Sequence, residues 1–241
     1  MLTISDFSSV LSRSGTSLTL IGGQAVGWWA QRYAAVLPPD IPSAVTSRDI
    51  DFWADRGEAE DLAKRLSAKP EFPGPYDMTV LSAVIPLVVN EQKTAIELLH
   101  TVPGLDVVDP EESAVIQAIE GSEFRVLDPV SLLTTKLHGL RNFSQGERQD
   151  LSHTRILLAV IRPFIEEAFH ASVRTGLWYC ERVIHCCVRQ NNRSVLSQYS
   201  LDWRPAIPIA CIEHLAAKTE NSSNDRRRLT NFLERRWAKL T

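Results

Sequence analysis

Two stretches decide how this chain folds: TSLTLIGGQA at residues 16–25 and SRDIDFW at residues 47–53. The first is a short aliphatic and β-branched run that reads as a strand over 16–21. Gly22-Gly23 breaks it, and QAVGWWAQRYAAV, residues 24–36, follows with apolar residues at helical spacing. A strand that turns through two glycines into a helix lets a ligand approach the backbone closely. The first N–H groups of such a helix form a seat for phosphate. Taken alone, the same pattern also fits a plain tight turn.

In the second stretch the residues alternate, and 49–54 reads as a strand. Its period of two places Asp49 and Asp51 on one face and Ile50 and Phe52 on the other. Two acids side by side repel unless a cation joins them, and hard oxygen ligands suit magnesium. Without a ligand, the pair reads as the solvent side of a strand. TAIELLHTV, residues 94–102, lies in a further run, 93–100, that reads as a strand able to pair beside the first acidic one. Glu97 there offers a third carboxylate, and three would allow two metal ions to serve in-line phosphoryl transfer. An exposed strand glutamate is the other reading, and Asp106 is a weaker substitute for the same role.

Outward from these segments, 5–14 and 57–68 read as helices. Residues 78–89 read as a strand that Pro86 confines to an edge or a bulge. A hairpin is expected over 114–127 with Gly121-Ser122 at its turn. Asp128-Pro129 starts a helix at 130–142. From there the pattern is helical, with breaks near 143–147, at Pro163, and near 191–194, 202–208 and 219–224. An amphipathic helix is expected over 225–240. The expected architecture is α+β: a mixed sheet flanked by helices over residues 1–127, an all-helical domain over 128–241, and a cleft between them.

Order and spacing together carry more than any one piece. A hydrophobic residue and Gly-Gly (Ile21, Gly22, Gly23), then Asp-hydrophobic-Asp (Asp49, Ile50, Asp51), then a later acidic strand (Glu97) resembles the nucleotidyltransferase superfamily of the DNA polymerase β type. Within it, DPVSLLTTKLHGL at 128–140 and GERQDL at 146–151 are similar to the abortive-infection (AbiEii-like) nucleotidyltransferases. That resemblance covers about residues 16–155. It implies that Asp49, Asp51 and Glu97 are catalytic and hold Mg²⁺, two ions if Glu97 ligates. It implies that Lys136 contacts the phosphates of an NTP with help from Arg148, that Gly22, Gly23 and Gln24 line the nucleotide, and that Asp150 lies near the active site. The implied reaction is NMP transfer to tRNA or other RNA, a protein or a small molecule, in a toxin-like setting with an antitoxin partner. Gln24 stands where small residues are frequent in relatives, and the gap from Gly23 to Asp49 holds Pro38, Pro39 and Pro42. A catalytically degenerate protein that binds a nucleotide or a partner is therefore the alternative.

Composition supports the rest. The 241 residues are 44% hydrophobic and 23% charged, which excludes collagen, coiled coil and disulfide miniproteins. No apolar run approaches the ~20 residues of a membrane span. MLTISDFSSV has no basic region leading an apolar one, so a cytoplasmic protein is expected. Residues 1–120 hold 8 Lys and Arg against 17 Asp and Glu, whereas residues 121–241 hold 18 against 12. The basic half favours a polyanionic partner, with Arg226, Arg227 and Arg228 as candidate phosphate contacts. Trp28-Trp29 is a candidate for base stacking. His138 and His153 read as surface or core histidines, and Cys180, Cys186, Cys187 and Cys211 as small residues packed in helices.

Overall fold

The computed structural model describes residues 1–42, 44–105, 112–146, 148–218 and 222–240. They form two compact units, Met1–Leu157 and Leu158–Thr241. The expected boundary at 127/128 falls inside the first unit. Asp106 lies outside the described residues.

The first unit contains β1 (Leu2–Thr3), α1 (Ser8–Ser14), β2 (Thr19–Ile21), α2 (Gly22–Arg32), β3 (Thr46–Ser47), β4 (Ile50–Trp53), α3 (Arg56–Leu66), β5 (Leu81–Val89), β6 (Gln92–Leu99), β7 (Ala114–Ile119), β8 (Ser122–Leu127), α4 (Pro129–Asn142) and the start of α5 (Asp150–Ala171). A six-stranded mixed sheet runs in the order β5-β6-β4-β2-β8-β7, and β1 pairs with β3 beside it. The α+β architecture expected from the sequence is present.

The registers follow from residue type. Ile50 and Phe52 of β4 are fully buried, each contributing about 2 kcal/mol, while Asp51 and Trp53 on the opposite face keep partial exposure. The strand is one residue shorter at each end than expected, so Asp49 sits just before it. β4 is antiparallel to β2 and parallel to β6, which places Ile21 and Glu97 on either side of Asp51. β5 is an edge strand and carries Pro86, whose missing N–H a central strand would not tolerate. The hairpin joins β7 to β8 through Glu120 and Gly121, both at positive φ, and Ile119 pairs with Ser122.

α4 begins at Pro129 behind Asp128, whose buried carboxylate accepts from the Val130 and Ser131 N–H groups and from the Ser131 hydroxyl. The break expected at Pro163 is absent, since α5 runs through it. Ile156, Leu157, Val160, Ile161, Phe164, Ile165 and Phe169 are buried on both sides of the proline. At about 2 kcal/mol each, that stripe outweighs the ~3 kcal/mol an interior proline costs.

Beyond α5, the second unit holds α6 (Val173–Val188), α7 (Gln190–Gln198), α8 (Ile209–Ala217) and α9 (Ser223–Asn231). The helix expected over 225–240 is α only to Asn231 and continues as a wider turn and then a tighter one to Lys239. Cys180, Cys186 and Cys187 are buried in α6, and burial pushes the Cys180 thiol well above its ordinary range. Among the described residues no helix is long and apolar enough to cross a membrane.

Candidate active site

A cleft of about 360 Å³ opens in the first unit where the Gly-Gly turn, the β3–β4 connection, α4 and the start of α5 meet. Its walls include Gly23, Ser47, Arg48, Asp49, Asp51, Lys136, Arg148, Asp150 and His153.

Gly22 stands where β2 becomes α2, at φ +69°, a left-handed conformation that suits glycine. A Cβ there would lie 1.8 Å from Asp51 Oδ2, so only glycine leaves room for the carboxylate. The Gly23 N–H donates to that carboxylate. The helix start that the sequence marks as a phosphate seat thus has one N–H already committed to Asp51.

Asp51 is forced upward in pKa. Removal from water is the largest cause, followed by the charges of Asp49 and Glu97, and together they push it up to about 7 against the pull of Lys136 and the Gly23 N–H. Glu97 is raised by its own burial and by Asp49. Asp49 accepts a 2.9 Å hydrogen bond from the Ser47 hydroxyl. The three acids therefore act on one another as the sequence spacing anticipates.

Opposite them, Lys136 Nζ lies 3.3 Å from Asp150 Oδ1 and Arg148 Nε lies 2.7 Å from Asp150 Oδ2. The Asp150 side chain is 4% exposed and that of Lys136 13%. These cations hold the Asp150 carboxyl below the ordinary carboxylate range despite its burial. Gly139 makes the approach feasible, because a Cβ on α4 would come within 2.6 Å of Asp150 Oδ2. Arg148 also lies over the Phe143 ring, 4.7 Å from its centroid.

The donor set fits magnesium, which is commonly held by one or two carboxylates with substrate phosphates and water completing its shell. Asp49 and Asp51 would supply those carboxylates. A protein cage including Glu97 is another matter: among the described residues no group of three or more His, Cys, Asp and Glu side chains is placed to hold a metal ion. Glu97 sits half-buried in the sheet, between Asp51 and Val84 in register, and influences the site through charge.

Gln24 does not join the cleft. It is fully buried, and its side-chain amide donates to the Leu2 carbonyl at 3.0 Å. One residue along a helix is about 100° of rotation, enough to turn it from the Gly23 side to the β1 side. Trp29 is buried with its indole N–H on the Leu127 carbonyl, and Trp28 meets Phe124 edge-on. Neither ring is among the cleft walls.

His153 is the residue that sequence reasoning missed. It lines the cleft, is 6% exposed, and neither ring nitrogen has a hydrogen-bond partner among the described residues. The signal was its position one turn after Asp150 on the same helix face.

The second unit carries a feature of its own. Arg174, Trp178, Arg182 and His185 follow one another at intervals of four, four and three residues along α6, and Arg189 caps its end four residues on. Such spacing forms a single stripe on a helix. Trp178 is 46% exposed, with the Arg182 guanidinium 4.5 Å from its ring centroid. Arg189 donates to His185 Nε2 at 2.7 Å. Arg227 and Arg228, singled out in the sequence, bond instead to Asn224 and Asp225, and Arg226 donates to the Lys218 carbonyl.

No family model and no curated protein matches the chain. Among solved structures it is similar to the Megavirus polyadenylate synthase, at 13% identity and a TM-score of 0.39 over 64% of this chain. The chain spans only 30% of that protein's length. It is similar to an antigenic nucleotidyltransferase-like protein from Paracoccidioides brasiliensis, at 14% identity and a TM-score of 0.42, over 82% of this chain and 93% of that one. A third is JHP933 from Helicobacter pylori, at 12% identity and a TM-score of 0.38, over 87% of this chain and 92% of that one. At such identities and scores the chemistry of this chain rests on its own residues.

Proposed function

We propose that this chain is a Mg²⁺-dependent nucleotidyltransferase of the DNA polymerase β superfamily that moves an NMP from an NTP onto a polyanionic acceptor. The observation that carries this reading is Asp51. Its carboxylate is held on the Gly23 N–H beside Asp49 and Glu97, in the cleft that also holds Lys136 and Arg148.

Asp49 and Asp51 would hold the metal, which when bound supplies positive charge for the reacting phosphate. Lys136 and Arg148 bind the triphosphate, and Asp150 between them fixes where both cations stand. An acceptor hydroxyl oxygen bonds to the α-phosphorus, the bond from that phosphorus to the β-phosphate oxygen breaks, and pyrophosphate leaves. The hydroxyl proton passes to a carboxylate of the acidic cluster. Glu97 raises the affinity of Asp51 for positive charge without ligating. Rate enhancement then comes from positioning and fixed charge.

The stripe on α6 supports a polyanionic acceptor, because guanidinium groups interleaved with an exposed indole match phosphates interleaved with bases. With the AbiEii-like resemblance, an RNA end is the preferred acceptor and a toxin-like role, opposed by an antitoxin, the setting. Glu97 is not among the cleft walls, which favours one other reading, a protein that binds NTP without turnover.

Incubation with each α-³²P-labelled NTP, Mg²⁺ and total RNA separates them, with Asp49→Ala as control. Label on RNA that vanishes in the variant establishes transfer. NTP binding without label in any lane establishes the non-catalytic reading. Absence of NTP binding overturns both.

A further inference from the structure

We infer that His153 is a phosphate-binding residue of the nucleotide site, an uncharged donor beside Gly23 that takes an oxygen of the bound triphosphate. The inference rests on the nucleotide-binding reading above and extends it to a residue that the family pattern does not mark.

The corner around Gly23 is short of free donors. A Cβ on Gly23 would stand 3.3 Å from His153 Cε1 and 3.7 Å from Ser47 Oγ, so these three groups bound one small space. The Gly23 N–H is committed to Asp51, and the Ser47 hydroxyl to Asp49. The two nearby cations, Lys136 and Arg148, are both engaged by Asp150. His153 is a buried group left without a role there: 94% of its surface is buried, it lines the cleft, and both nitrogens lack a partner among the described residues.

A buried polar group without a partner costs about 1–3 kcal/mol, so it needs an occupant to complete it. An imidazole turns broadly about χ2, which lets either nitrogen reach the cleft at low cost. Burial, with Lys136 and Arg148 nearby, holds the ring neutral, down to about 3 in pKa. A neutral imidazole has one N–H to give. Arg48, Lys136 and Arg148 line the same cleft, which selects an anionic oxygen as the acceptor.

The test uses the full chain with Mg²⁺ and compares His153→Leu and His153→Asn with the wild type. Binding of the four NTPs and of inorganic tripolyphosphate is measured by calorimetry, and thermal stability is measured without ligand. His153→Leu is expected to weaken both the best-bound NTP and tripolyphosphate about tenfold. It is expected to keep or raise the ligand-free Tm, since an unpartnered polar group is gone. Asn, which retains an N–H donor, recovers most of the affinity. Equal NTP affinity in the Leu variant overturns the inference while leaving the nucleotide site intact. Loss for NTP but not for tripolyphosphate also overturns it, by placing the contact on sugar or base. A wild type that binds none of these probes overturns the nucleotide-binding reading itself, and the inference with it.

Discussion

Glu97 stands directly across from Asp51 in the parallel register that joins β4 to β6. Two acids side by side in a sheet, with Asp49 one residue before the strand, make a negative cluster opposed by Lys136, which is itself paired with Asp150. Asp51→Asn is expected to lower nucleotidyl transfer at least a hundredfold while leaving the far-ultraviolet circular dichroism unchanged. Glu97→Gln is expected to lower turnover less. It should also lower the Asp51 pKa from about 7, because one of the charges that raises it is gone. Carbon-detected NMR of the Asp carboxyls reads the shift.

Stability should depend on pH in a way that two residues oppose. Asp51 is raised to about 7 from an ordinary 3.8, so between those values the folded state binds the proton and the unfolded state does not. Its contribution is full at acid pH and is lost as pH rises through 7. His153 is lowered from 6.5 to about 3, so the unfolded state binds the proton and its contribution is lost as pH falls. Each slope approaches about 1.4 kcal/mol per pH unit. Urea titrations without metal should therefore show Asp51→Asn gaining stability with pH from 4 to 6.5. His153→Asn should lose stability over the same range.

Three glycines should rank by what a methyl would strike. Gly22→Ala meets Asp51 Oδ2 at 1.8 Å and adopts an unfavourable φ, so a loss above about 2 kcal/mol and of turnover is expected. Gly139→Ala meets Asp150 Oδ2 at 2.6 Å and should cost about 1–3 kcal/mol and weaken NTP binding by displacing the partner of Lys136. Gly23→Ala has 3.3 Å to the His153 ring and should cost least. Thermal unfolding of the three variants gives the order.

The α6 stripe predicts a salt signature. Arg182→Ala and Arg189→Ala should each lower the slope of log affinity for single-stranded RNA against log salt by about 0.7. Trp178→Ala should weaken binding about tenfold or more with little change in slope, as a stacking contact does. Filter binding across a salt series distinguishes the two. A surface that does not bind RNA would show neither.

Legibility in the sequence tracked how local each cause is. The β4 register, the 114–127 hairpin and the edge position of Pro86 follow from period two and from turn chemistry, and they are found as read, except that the hairpin turns at Glu120-Gly121 rather than at Gly121-Ser122. So is the pairing of the Glu97 strand beside β4. Lys136 and Asp150 were marked by resemblance alone, and the structure brings them to 3.3 Å. Gln24 was misplaced because a helix turns each residue to a new direction, and spacing from a motif does not say which. His153 was passed over because its place one turn beyond Asp150 gains meaning only when the fold sets it beside Gly23. The α5 proline was read as a stop because the burial on both of its sides is a tertiary fact.

The placement of the thiols has a practical consequence. All four cysteines, at 180, 186, 187 and 211, belong to Leu158–Thr241, and the sheet unit contains none. The three in α6 are shut from solvent. A maleimide added to the native protein should label Cys211 first and the others only as fast as α6 opens. The reagent thus times the unfolding of the helical unit alone, and comparing that rate with amide hydrogen exchange of the six-stranded sheet would reveal whether the two melt as one cooperative body or in turn.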